Sequence, residues 1–188
     1  MILPILSYGN AVLKKKAEEI GKSYPNLKEL IANMFETMYA APGVGLAAPQ
    51  IGLAIRLIII DATGYSDDNP ELNGFRKVFI NPKITEEEGE EWLFNEGCLS
   101  FPKLREDILR KPKIRIQYYD ENFNFYDEWY DGVLARIIQH EYDHTDGIVF
   151  VDRLSPLKKQ LIKGKLNDIM TGSIEVAYKM KFAKSKKK

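Results

Sequence analysis

The chain's only two histidines stand four residues apart, in His140-Glu141-Tyr142-Asp143-His144. On a helix that spacing puts both on one face, with Cβ atoms ~5–6 Å apart. Two imidazoles so placed can reach one metal ion at ~2.0–2.1 Å. Glu141, one position along, can reach a water on that metal without ligating it. This is the HExxH arrangement, in which a metal activates water and the Glu moves its proton. Random placement of two His and 16 Glu among 188 positions produces the pattern on the order of once in a thousand chains.

Two His make an incomplete site, because hydrolytic metal sites use three protein ligands and keep one position open. In the extended pattern HExxHxxGxxH the third His falls at position 150; Gly147 is in place, but position 150 is Phe150. A Glu about 20 residues past the second His is another solution, and there the chain has Gly164. Asp168 and Glu175 remain candidates, although they lie on or beyond a basic helix. The remaining strong ligand is Cys98, the only thiol, and a Cys-His-His set with an open fourth position is chemically sound.

The body that carries this site is a chain of 188 residues, which favours one domain, since chains split only above ~250 residues. One Cys excludes an internal disulfide framework and an internal zinc ribbon. The most apolar stretch, Leu57 to Ile60, is far short of the ~20 residues of a membrane span. The start, MILPILSYGN, has no positive charge ahead of its apolar residues and no small-residue cleavage site, so no signal peptide is expected. A lone thiol without an export signal points to a cytoplasmic setting. The total charge is zero, but from Arg153 to Lys188 eleven Lys and Arg face only Asp168 and Glu175, a local +9. Such a basic end on an acidic body points to a polyanion as partner, or to a solvated terminus.

Apolar residues from Leu27 to Met38 recur with the period of one buried helical face. They predict a helix near residues 26–41, with Asn26 and Glu29 as a capping pair and Pro42-Gly43 as its stop. GVGLAAPQIG (43–52) is a Gly-rich connection. Strands are expected at 55–61, at 77–82, and from 92 into a turn near 102, with a polar loop over 63–74. Residues 113–130 alternate on both sides of Asp120-Glu121-Asn122 and read as a hairpin. Asp131 is expected to cap a helix from Gly132 to about His144, and Ser155 a last long helix closed by Gly172. The fold class is therefore α+β: mixed or antiparallel sheets around a central helix carrying HEYDH, then a long C-terminal helix. Residues 1–172 form a single catalytic domain and 173–188 a basic extension.

GVGLAAPQIG, EGCLSFP and QHEYDH together resemble the three signature motifs of peptide deformylase, in order and at familiar separations. The helix ending in MFETMYA, the INP strand and the DRLSPLKKQ segment extend the resemblance over most of residues 1–170. The resemblance implies removal of the formyl group from the N-terminal methionine of new peptides. It implies one divalent metal on Cys98, His140 and His144, Fe(II) in most members, with nickel, cobalt or zinc able to substitute. It implies that the metal would supply activated water for attack on the formyl carbon, with Glu141 as general base. The oxyanion donors it implies are the Gln50 side-chain amide and the Leu99 backbone N–H.

Gly43 and Gly45 allow close approach of another backbone, so an extended peptide could add as a strand there. By resemblance the backbone at Val44, Gly45 and Gly97 contacts substrate, and Arg105 stands near its entrance, unless it serves a surface salt bridge. The matching methionine-pocket positions are Val44, Phe94, Val133 and Ile137, with Arg136 at the rim; each could also be core, which is the preferred reading for Val133. Glu96 and Gln139 are expected to hydrogen-bond the ligands. Thr145 departs from the Leu that commonly follows the second His, and the 63–74 loop is longer and more acidic than in compact members. Beyond Gly172 a tail, SIEVAYKMKFAKSKKK, extends past the usual C-terminal helix; ending the matching part on that helix resembles the subclass of many Gram-negative bacteria, whose helix can dock on the ribosome, a role the +9 segment suits. Two other readings keep the same motif: an HExxH peptidase, which would need metal bound without Cys98, and a non-catalytic ribosome- or RNA-binding protein, which would need a closed four-ligand site.

Overall fold

The computed structural model of the protein describes residues 1–184. The last four residues of the expected basic extension, 185–188, lie outside the described residues. Five antiparallel strands make the main sheet, in the order β2 (Gly45–Ala47), β3 (Leu57–Asp61), β4 (Arg76–Glu88), β7 (Lys113–Tyr119) and β8 (Phe125–Asp131). β5 (Trp92–Cys98) and β6 (Phe101–Arg110) form a separate two-stranded sheet, and β1 (Ile5–Leu6) pairs in parallel with β9 (Met180–Lys181). The helices are α1 (Leu27–Ala40), α2 (Gly132–Thr145), α3 (Pro156–Leu161) and α4 (Lys163–Thr171). Among the described residues no helix is long and apolar enough to cross a membrane.

The run Leu57-Ile58-Ile59-Ile60 is apolar throughout because the main sheet is covered on both faces. Leu57, Ile59, Val78 and Ile80 pack with Ile31, Met34 and Met38 of α1. Ile58, Ile60, Phe79 and Ile116 pack with Ala135 and Ile138 of α2. A third cluster joins Phe101, Leu104 and Ile108 of β6 to Phe150, Leu154 and Ile169. α2 is thus surrounded, and ten of its fourteen residues are buried.

Several expectations change. α1 begins where predicted, but Asn26 is left-handed (φ 53°) and its side chain makes no cap. Asp131 takes the extended N-cap conformation of α2, again without a side-chain bond. The strand expected at 77–82 runs on to Glu88, shifting register twice along β7. The first shift, next to Asn81 at φ 51°, is what lets Pro82 sit inside a strand. β6 was not foreseen at all: Lys103, at φ 59°, breaks the alternation of an otherwise two-residue pattern. The last helix does not run unbroken. Ser155 caps it by accepting from the Lys158 N–H at 3.3 Å and Gly172 closes it in the left-handed region, but Ile162 (ψ 0°) divides it into α3 and α4.

Candidate metal centre and cleft

α2 presents His140 and His144 with ring centroids 5.3 Å apart. Cys98, at the end of β5, meets them from the other side, its Sγ 3.3 Å from His144 Nε2. One ligand atom from each of Cys98, His140 and His144 lies within 4.8 Å of the other two, so one ion could be held by all three. His140 keeps Nε2 for that purpose because its Nδ1 bonds Glu96 Oε2 at 2.8 Å. Burial disfavours charge on both rings. It holds His144 well below its usual range, as a neutral ligand must be. For His140 the hydrogen bonds it makes to Cys98 and Glu96 outweigh burial and hold it well above. A thiol and two imidazoles whose donor atoms converge within 4.8 Å, with the far nitrogen of His140 already bonded to a carboxylate, form a donor set that fits a divalent cation.

Glu96 is set in turn. Its carboxylate accepts from Arg110 at 2.8 and 3.0 Å and from Arg136 at 3.0 Å. Arg110 also donates to Asp143 at 2.7 Å, and Asp143 accepts Arg153 at 2.6 and 2.7 Å. Burial opposes ionisation of Glu96, yet the bonds from His140 and Arg110 hold its carboxyl well below the usual carboxylate range. Glu141 lies inside the same pocket with Oε2 lacking any hydrogen-bond partner. Burial pushes it up to about 7; a cation on the neighbouring ligands would draw it down.

Gln50, in a short 3-10 turn over Ala48–Ile51, points its amide nitrogen at Cys98 Sγ (3.4 Å) and Ser100 Oγ (3.3 Å). Its Oε1 accepts from the Ala47 N–H at 2.8 Å, which settles the amide's orientation. A cavity of about 450 Å³ opens at the site, with Cys98, His140 and Glu141 in its wall. Two sheet edges flank it, β2 with Gly45 and β5 from Phe94 to Cys98.

Residues 2–160 match the family model described as polypeptide deformylase. The chain belongs to the peptide deformylase family. A peptide deformylase of Christiangramia forsetii is 57% identical, with 100% of this chain and 99% of the relative covered. One from Flavobacterium psychrophilum is 56% identical, with both chains covered in full. The crystal structure of a peptide deformylase from Legionella pneumophila superposes with a TM-score of 0.79 at 39% identity, covering 89% of this chain and 95% of that one. Deformylases are metal-dependent hydrolases that act on formylated new peptides, and the fold found here is theirs.

Against that family, the cleft brings together most of the residues expected from the sequence. Val44, Gly45, Phe94, Gly97, Leu99 and Ile137 all line the cavity. Arg105 lines it too, held across the hairpin by Asn95, whose side-chain and backbone oxygens accept at 2.7 and 2.6 Å, rather than by an ion pair. Three placements differ. Arg136 does line the cavity, but from inside rather than at its rim: it is 1% exposed and ties Glu96 to the Ile108 and Trp92 carbonyls. Val133 is not in the cavity wall and packs on the α2 side of the main sheet. Gln139 donates to Glu87 at 3.0 Å and bonds no ligand. Arg110 and Asp143 went unforeseen. Arg110 sits two residues past buried Ile108 on the inward face of β6, the one local sign that it is internal.

Gly45 is required by Glu141. A Cβ there would come within 2.5 Å of Glu141 Oε1, so Gly45→Ala must push the carboxylate aside. Since a misplacement of ~1 Å can cost ~100-fold in rate, kcat for deformylation should fall about 10–100-fold. The melting temperature should fall as well, by roughly 2–12 °C for an overpacking cost of ~1–3 kcal/mol, because the Cβ would also stand 2.7 Å from Glu141 Cγ and the whole buried side chain must shift. Steady-state kinetics beside a thermal melt checks both.

Proposed function

We propose that the protein hydrolyses the amide between formyl and the N-terminal methionine of newly made peptides, releasing formate and a free amine, in the cytoplasm. The observation that carries this reading is that a three-donor Cys-His-His set and an unpartnered, buried carboxylate oxygen open on one cavity. A divalent metal held by Cys98, His140 and His144, Fe(II) in our reading with nickel, cobalt or zinc able to substitute, supplies Lewis-acid activation of water.

The remaining roles belong to the chain. Glu141 accepts the water proton and returns it to the departing methionine nitrogen. The Gln50 amide, with Leu99 N–H, donates to the oxygen that becomes negative in the tetrahedral state. The peptide backbone lies extended between the edges at Val44, Gly45 and Gly97, taking main-chain hydrogen bonds in strand fashion. The methionine side chain enters among Val44, Phe94 and Ile137, and Arg105 stands over the mouth. The lysines near the C-terminus serve docking on ribosomal RNA, a contact that salt should weaken. Co-sedimentation with ribosomes, comparing the natural chain with one in which Lys186, Lys187 and Lys188 are Gln, tests that point without disturbing residues 173–184.

The reaction is tested by loading the protein anaerobically with Fe(II) or nickel and supplying a formyl-methionyl peptide. One formate per peptide, with the rest of the peptide intact, is expected. Internal cleavage would instead mark a peptidase. Neither product, with one metal bound per chain, would mark a non-catalytic metal protein.

A further inference from the structure

The family match ends at residue 160, yet residues 173–184 are built into the domain. Ile174 packs on the third apolar cluster and Met180 on the first. The Lys179 and Lys181 carbonyls accept from the Ile5 and Ser7 N–H groups at 2.9 and 3.0 Å, and the Lys184 N–H reaches the Met170 carbonyl at 3.0 Å. Between these anchors residues 175–178 form part of the cavity wall. Glu175 and Ala177 are exposed, so the strap carries the cavity wall out to solvent.

Tyr178 links the strap to the centre: its hydroxyl donates to the Leu99 carbonyl at 2.6 Å. Leu99 follows Cys98 and precedes Ser100, which is wholly buried. The Ser100 carbonyl accepts the Tyr8 N–H at 2.9 Å and its hydroxyl accepts from Gln50 at 3.3 Å. The turn carrying both a metal ligand and the Leu99 N–H is therefore gripped at Leu99 by the strap and at Ser100 by the body.

Resting on the deformylase reading, we propose that Tyr178 is a positioning residue for Leu99, and that the strap at 175–178 is a wall of the subsite for peptide residues following the methionine. Loss of one neutral hydrogen bond that orients a reacting group should lower kcat about 3–10-fold. Glu175 is the only charge among residues 175–178, while Lys103 and Arg105 line the rest of the cavity; reversing it should therefore shift preference away from peptides that are basic beyond the methionine.

The experiment uses Tyr178→Phe and Glu175→Lys in the full chain. Tyr178→Phe should lower kcat on formyl-methionine amide about 3–10-fold, with KM, metal content and melting temperature unchanged. In zinc-loaded protein the Ser100 amide resonance, which reports on the Leu99–Ser100 peptide group, should shift. An unmoved kcat and resonance, or a kcat loss that follows metal or stability loss, overturns the positioning role. Glu175→Lys should raise KM for a formyl-methionyl tripeptide bearing Lys and lower it for one bearing Asp, about 2–3-fold each at low salt, without affecting formyl-methionine amide. Equal KM changes for all three substrates, or none, overturn the wall. A natural chain that releases no formate defeats the deformylase reading and the subsite with it, while the Ser100 resonance still decides the Tyr178–Leu99 link.

Discussion

Glu141→Ala should leave the metal bound and remove deformylation, with kcat falling ~10²–10⁴-fold, the usual contribution of a positioned general base. Glu141 neighbours a ligand on α2 yet bonds none of the three donors, and its Oε2 is buried with no partner. A buried carboxylate without a partner costs stability, about 1–3 kcal/mol for the unsatisfied group, and alanine is the better helix former. The melting temperature should therefore not drop appreciably. Metal analysis, formate release and a thermal melt on one preparation check the three statements. Near-normal turnover would remove Glu141 from the mechanism, and loss of the metal would make it a ligand.

Glu96→Ala should do the opposite, damaging fold and metal binding together. Glu96 is 4% exposed and accepts from Arg110, Arg136 and His140. Its removal leaves two buried guanidinium groups short of an acceptor. Breaking a buried charge pair from one side costs ~3–5 kcal/mol. At ~2–4 °C per kcal/mol for a chain of this size, the melting temperature should fall by roughly 6–20 °C. His140 also loses the bond that holds Nδ1, and loss of such a partner typically weakens metal affinity ~10–100-fold. Glu96→Gln, which keeps an oxygen for His140 but not the charge, should fall between. A competition titration with a chelator, alongside the melts, separates the two effects. A Glu96→Ala protein with normal affinity and stability would mean that the Arg110 side of the network suffices.

The features legible in the sequence are those written within a few turns of chain. The HEYDH spacing lies inside one helix, and the Val133, Leu134, Ile137 and Ile138 face marks that helix as packed. The hairpin of β7 and β8 declares itself by alternation around Asp120. Cys98 could be reached by elimination, because a chain with two His and one Cys has few strong donors to offer. Local periodicity and the scarcity of metal-binding side chains need no knowledge of what lies across the fold.

Tertiary structure decided the rest, wherever the partner is distant in sequence. Glu96 meets His140 across 44 residues and Tyr178 meets Leu99 across 79. Arg110, Arg136 and Asp143 look like surface charges along the chain, since an ionised side chain is stable inside only when opposite charge and acceptors converge on it. The same holds for the tail. Its lysines read as a solvated, polyanion-seeking end, but its Ile174, Tyr178 and Met180 make residues 173–184 a strap, because β1 offers a free edge and the cleft an uncovered side. The sequence by itself determined which atoms could hold a metal and which carboxylate could work beside it. Only the folded chain decided what orients them, since orientation is the work of groups brought together by long-range packing.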